Sequence, residues 1–89
     1  MLRSRTHVTM SGMTDIIDHV AAICRDAMGV SDLRADEDLV ARGADSLVAV
    51  EVVSRLELDY GVDIVDVFFS TPTIDALADA VRSHLAHQQ

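Results

Sequence analysis

The feature that most constrains this chain is an apolar stripe with helical spacing. Between Ser46 and Tyr60, the residues Ala49, Val53, Leu56 and Tyr60 recur at i, i+4, i+7 and i+11, with Val52 beside them. The stripe needs a second apolar surface, and the sequence provides two. Ile16, Ile17, Val20, Ile23, Cys24 and Ala27 give one helical face; Ile74, Leu77, Ala78, Val81 and Leu85 give another. Valine is abundant, but no pair of strands with alternating polarity appears, and packing overrides the weak β preference of Val. The expected fold is all-α: a small antiparallel helical bundle with three main helices, one short helix and a long loop between helices 1 and 2.

Punctuation sets the helix boundaries. Thr14 is the expected N-cap of the first helix, with Asp15 and Asp18 in the first turn and Gly29 as the stop. Residues 30–44, "VSDLRADEDLVARGA", form a long polar connection in which Leu33, Leu39 and Val40 are the expected anchors. Gly61 ends the central helix. "VDIVDVFFS" (62–70) reads as an extended loop with about one helical turn around Asp66–Phe69. Pro72 suits a turn, Thr73 caps the last helix, and the tail frays from Ala86. "MLRSRTHVTMSG" (1–12) has no periodicity and is expected to be a disordered tail before a single domain over 13–87.

At 89 residues, 49% of them hydrophobic but with no Trp, one Tyr and two Phe, the core must be aliphatic. A chain this short buries roughly 60–65% of its unfolded surface, so that core is thin. The one cysteine, Cys24, excludes an internal disulfide and a cysteine-based zinc site, and its place on an apolar stripe reads as core. The net charge is −8, and residues 13–89 hold five arginines against all fifteen acids, a balance of −10. Such a surface repels nucleic acid and anionic membranes and steers basic protein patches toward itself. No run approaches a transmembrane span, and the N-terminus lacks the apolar segment of a secretion signal; the expected location is cytoplasmic.

Ser46 stands where the polar loop becomes the apolar helix. A helix start presents unpaired N–H groups and the positive end of the macrodipole, which suits a phosphate. A serine there is commonly just a cap. Asp45 already supplies a capping oxygen, however, and Leu47 is apolar yet lies off the buried stripe, so the pair reads as a modifiable hydroxyl beside a partner contact. A hydrolytic triad of Ser46 with His19, His84 or His87 is disfavoured. Val48 stands where a nucleophile elbow needs glycine, and a thin bundle has little concave volume. The three histidines read as solvated, and no metal site is expected.

"GADSL" (43–47), the helix "VAVEVVSRLELDYGVDI" (48–64) and "FFSTPTIDALADAV" (68–81) together resemble the carrier proteins of fatty-acid, polyketide and nonribosomal-peptide synthesis. The likeness covers residues 14 to about 86. It implies that Ser46 is the attachment site of 4′-phosphopantetheine, installed from coenzyme A by a phosphopantetheinyl transferase, with Asp45 and Leu47 beside it. The arm's thiol would carry an acyl, aminoacyl or peptidyl group as a thioester, and the protein itself would not be an enzyme. Carried over by position, Leu47, Val50, Glu51, Ser54, Asp66 and Phe69 are candidate contacts for partner enzymes: acyltransferase, adenylation, and ketosynthase or condensation enzymes acting in trans. A monomer is expected.

Two departures from the family pattern stand out. Arg55 puts a positive charge on a helix that is usually more uniformly acidic in fatty-acid carriers. The stretch from Ile64 to Pro72 is about one residue short and has Val65 where a proline often stands. "FFSTPTIDALA" resembles secondary-metabolite carriers and "GADSL" leans to the acyl side, which implies a free-standing carrier for natural-product assembly. The competing expectation is a helical interaction module with no prosthetic group, in which Ser46 is an ordinary first-turn residue.

Overall fold

The structure, a computed structural model, describes residues 12–86. These form four helices and no strand: α1 (Gly12–Met28), α2 (Ser46–Tyr60), α3 (Val65–Ser70) and α4 (Ile74–Ala86). α1 packs on both α2 and α4, and the short α3 bridges α2 and α4. Two cross-helix ion pairs show the direction of packing. His19 of α1 meets Asp59 of α2, and seven residues further along α1, Asp26 meets Arg55, one turn back along α2. The two helices therefore run in opposite directions, as the short apolar stripes lead one to expect.

The core is aliphatic with one aromatic ring at its centre. Val20, Ile23 and Cys24 of α1, Val52 and Leu56 of α2, Phe68 of α3 and Ile74, Leu77 and Val81 of α4 are all essentially inaccessible. Tyr60, Ile16, Ile17, Ala27 and Leu85, expected on the buried stripes, are half-buried at its edge. Burial pushes the Cys24 thiol up to about 11, with Arg25 opposing more weakly. A thiol-specific reagent at pH 8 is therefore expected to leave the folded protein unlabelled while labelling the urea-unfolded chain; equal labelling rates would place Cys24 at the surface. The unfolded thiol titrates near 9.0. Stability is thus unaffected by Cys24 below that pH and falls as pH rises toward about 11, where only the unfolded chain ionises freely.

Gly29 ends α1 as expected. Its φ is +70°, its N–H donates to the Asp26 carbonyl at 3.3 Å, and the Val30 N–H reaches back to Arg25 at 3.1 Å. This paired closure satisfies carbonyls that a helix end otherwise leaves open. At the other end, Thr73 Oγ1 accepts the Ala76 N–H at 3.1 Å and so caps α4. α3 contains the expected Asp66–Phe69 turn, extended by one residue at each side.

Four expectations are corrected. Thr14 is not an N-cap: α1 begins two residues earlier, at Gly12. The helix cost of threonine relative to alanine is only about 0.5 kcal/mol, too small to stop a helix already anchored by its apolar face. The rest of the tail expected over residues 1–12 lies outside the described residues, as do His87 and the chain beyond Ala86. Val40 does not anchor the loop; it is 55% exposed. The Asp38 carboxylate accepts the N–H groups of both Val40 and Ala41, at 2.9 and 3.1 Å, and the resulting turn sends Leu39 inward and Val40 outward. His19 is exposed but partnered: its Nε2 lies 2.6 Å from Asp59 Oδ2, and its ring sits edge-on to Tyr60. His84 is half-buried, and its Nε2 is enclosed with no hydrogen-bond partner among the described residues, because α4 stays helical past it rather than fraying.

Candidate functional site

The loop before α2 is held from three sides. Leu33, Leu39 and Ala44 are buried beneath it. The Leu39 N–H donates to the Pro72 carbonyl at 2.7 Å and the Asp75 N–H to the Ala35 carbonyl at 2.9 Å, which ties the loop to the α3–α4 junction. The Arg42 guanidinium donates to the Asp32 carbonyl and carboxylate and, at 2.8 Å, to Glu37 Oε1. The hydrogen bond to Asp32 and the charge of Glu37 hold its proton more tightly still. The loop closes where the Ala44 N–H meets the Leu39 carbonyl at 2.9 Å. Gly43, with φ at +110°, makes the turn that an L side chain would strain.

Asp45 follows in extended conformation and is the N-cap of α2: its Oδ1 accepts the Val48 N–H at 3.0 Å. Ser46 is the first helical residue and is exposed. Its hydroxyl makes no hydrogen bond among the described residues, because Asp45 performs the capping. No acid lies in the first turn of α2, so the positive end of the helix dipole is not neutralised from within the helix. Asp45→Ala is expected to destabilise the fold by about 1 kcal/mol, the ordinary cost of losing a cap. A chemical-denaturation midpoint indistinguishable from wild type would show that another group replaces it.

The outer face of α2 points away from the core stripe. It carries Leu47 (79% exposed) and Val50 (63%), with Glu51 and Ser54 also exposed. On α3, Asp66 and Phe69 are exposed, Phe69 at 66%, while the adjacent Phe68 is buried and meets it edge-on. Asp45, Ser46 and Leu47 thus form one exposed corner, Val50, Glu51 and Ser54 continue along the same helix, and α3 packs against α2. Arg55 is not a free cation on this face. It bonds Asp26 of α1 at 2.8 Å and lies 3.6 Å from Glu51, so it belongs to the α1–α2 seam.

One exposed apolar residue escaped the sequence reading, and a second, Leu58, falls off the buried stripe as its spacing implies. Val40 was expected inward, although Asp38 two residues before it is a turn signal that would have placed it outward. Leu58, 85% exposed, lies eleven residues after Leu47 and so on the same face of α2. Among the described residues no cluster of His, Cys, Asp or Glu is arranged to hold a metal ion. None of their helices is long and apolar enough to cross a membrane.

Comparison with known proteins agrees with this geometry. The family described as phosphopantetheine attachment site matches residues 18–81, which include most of α1, the whole loop, Ser46, α2, α3 and most of α4. Among solved structures, the chain is similar to a chain in the complex of the phosphopantetheine transferase Sfp with coenzyme A and a peptidyl carrier protein. The TM-score is 0.73 at 29% identity, over 76% of this chain and 90% of that one. With the matched span covering both the loop and the helix that place an exposed serine not used as a cap, the chain belongs to the phosphopantetheine attachment family, the carrier domains to which 4′-phosphopantetheine is joined covalently.

Proposed function

We propose that this protein is a carrier that holds an acyl, aminoacyl or peptidyl intermediate on a 4′-phosphopantetheine arm attached to Ser46 and presents it to enzymes of natural-product assembly. The observation that carries this reading is the division of labour at the start of α2: Asp45 caps, and the Ser46 hydroxyl stands exposed and unengaged. Helix starts leave N–H groups without intrahelical partners, so a phosphodiester on Ser46 would sit where backbone donors and the dipole favour negative charge.

In the transfer reaction the Ser46 oxygen forms a bond to the phosphorus that bears the pantetheine arm of coenzyme A. The bond from that phosphorus to the nucleotide breaks, and adenosine 3′,5′-bisphosphate leaves. The hydroxyl proton passes to a base as the new bond forms. Once attached, the arm supplies a thiol that holds cargo as a thioester. Cys24, buried and with its thiol pushed up to about 11, does not compete for it. The protein then acts without catalytic groups of its own, by raising the effective concentration of its cargo at successive active sites.

Leu47, Val50, Glu51, Ser54, Asp66 and Phe69 are the proposed contacts for partner enzymes: an acyltransferase or adenylation enzyme that loads, and a ketosynthase or condensation enzyme that extends. The acids among them match basic patches on those partners. The setting is cytoplasmic, and the protein works as a monomer because one surface serves many enzymes in turn. The reading is tested by incubating the protein with Sfp and coenzyme A and recording intact mass. It predicts one phosphopantetheinyl increment, located by fragmentation to the peptide containing Ser46. An unmodified chain under conditions that load a control carrier would favour an interaction module with no prosthetic group.

A further inference from the structure

One arginine of the bundle holds no carboxylate. Arg34, Arg42, Arg55 and Arg82 each have one within 3.3 Å, on Asp36, Glu37, Asp26 and Asp79 respectively. Arg25, half-buried near the end of α1, makes no ion pair or side-chain hydrogen bond among the described residues, although the chain has fifteen acids. It lines an open cleft of about 580 Å³ with Ala22, Asp26, Gly29, Val30 and Ser31. The closure of α1 builds this cleft. The Gly29 N–H meets the Asp26 carbonyl and the Val30 N–H meets the Arg25 carbonyl, so the chain turns back beside the last turn of the helix. A Cβ added at Gly29 would meet nothing within 4 Å, so the space beside that backbone is open.

The lining sets the chemistry of the occupant. A guanidinium fork pairs with a carboxylate or a phosphate. The cleft lies at the C-terminal end of α1, where the helix dipole places about half a negative charge, and this disfavours a doubly charged phosphate more than a carboxylate. Exposed Ser31 adds a hydroxyl donor, and Ala22 and Val30 add apolar wall for an aliphatic stem. Asp26, the one acid in the lining, is already paired, since Arg55 Nη1 lies 2.8 Å from its Oδ2. That same nitrogen lies 3.6 Å from Glu51 Oε2 on the outer face of α2. The cleft therefore begins where the face proposed for partner enzymes ends, and a protein resting on that face reaches it by crossing the α1–α2 seam. An acidic side chain of such a protein brings the required group on a short apolar stem.

We propose that the cleft at the end of α1 is a docking site for an acidic segment of a partner protein, with the Arg25 guanidinium receiving a carboxylate. The proposal rests on the reading of the α2 face as a partner surface and extends that surface onto α1 with the opposite charge. The consequence is selection by polarity. Glu51 calls for a basic group on the partner, and Arg25, across the seam, calls for an acidic one. A partner that is basic throughout covers Arg25 without pairing it and is disfavoured, while one with both signs is held in a single orientation. An acidic segment is repelled by most of this surface, whose net charge is −8, so the cleft is where it can settle.

The test is a titration of the isotope-labelled full chain, unmodified at Ser46, followed by backbone and arginine side-chain NMR resonances. The probe is an N-acetylated, C-amidated pentapeptide of alternating leucine and glutamate. Saturable shifts are expected at Ala22, Gly29 and Ser31 and at the Arg25 side-chain N–H, with the same peptide in glutamine form inert. Arg25→Gln should raise the dissociation constant at least about fivefold, the loss of a charge-assisted pair. Arg34→Gln changes the net charge equally but lies outside the cleft, and it should bind as wild type. The spectra also show directly that each variant is folded. Shifts that persist in Arg25→Gln, equal weakening in Arg34→Gln, or no saturable shift at the cleft would each overturn the proposal. Glutarate giving the same shifts at the same concentrations would also overturn it, because the cleft would then take any free carboxylate rather than a protein segment. None of these outcomes depends on attachment at Ser46, which the mass measurement with Sfp decides separately.

Discussion

Ser46→Ala is expected to abolish phosphopantetheinylation outright while leaving the fold intact. The two halves of this result have separate physical causes. The transferred group forms its bond to the serine oxygen, and alanine has no nucleophile to offer, so no increment in mass should appear however long the incubation. Stability should stay within about 0.5 kcal/mol of wild type, the usual range for a surface change that breaks no cap. Ser46 contributes no cap because Asp45 Oδ1 already takes the Val48 N–H. Asp45→Ala should therefore show the converse pattern: reduced stability with the hydroxyl still present. Ser46→Thr keeps a hydroxyl but adds a methyl group with a restricted χ1, so slowed rather than absent modification is expected. If Ser46→Ala still gains a phosphopantetheinyl group, the arm is carried elsewhere and the assignment fails.

How much of this was legible in the sequence depends on the length scale of the interaction concerned. The buried stripes of α1, α2 and α4 follow from a local period, and residues such as Val20, Val52, Leu56, Leu77 and Val81 fall inside as that period requires. Asp45 as a cap was legible too, since the capped N–H is three residues away. Contacts between distant segments were not. Arg55 read as an anomaly because its partner Asp26 is 29 residues earlier, and His19 read as solvated because Asp59 is 40 residues later. Val40 failed for a different reason. Within an aperiodic loop no spacing separates inward from outward positions, and a carboxylate two residues away decided the matter. The exposed corner at Ser46 was legible because it depends on adjacent residues. The loop's share of that corner depends on a closure between Leu39 and Ala44 that only the fold reveals.

Phe68 and Phe69 are neighbours with opposite expected effects, and the contrast tests how the site is held. α3 has six residues, well short of the roughly 12–15 at which an isolated helix becomes even marginal, so it persists only through packing. Its one fully buried side chain is Phe68, the largest in the core, placed between α2 and α4. Phe68→Ala should cost about 3–5 kcal/mol through lost burial and the cavity left behind. Domains of this size hold only about 0.05–0.15 kcal/mol per residue, so this single change removes a large share of the total, and a fall in Tm of at least about 12 °C is expected. Phe69 is 66% exposed, and Phe69→Ala should leave Tm nearly unchanged. It should instead slow modification by the transferase, because the ring stands on the outer face that partners are proposed to cover. Phe68→Ala should slow it as well, by loosening the helix that presents Asp66 and Phe69, but this loss should be recovered at low temperature as the bundle is repopulated. The Phe69→Ala loss should persist there. If Phe69→Ala lowered Tm as far as Phe68→Ala, both rings would be core, and α3 would have no face left for a partner.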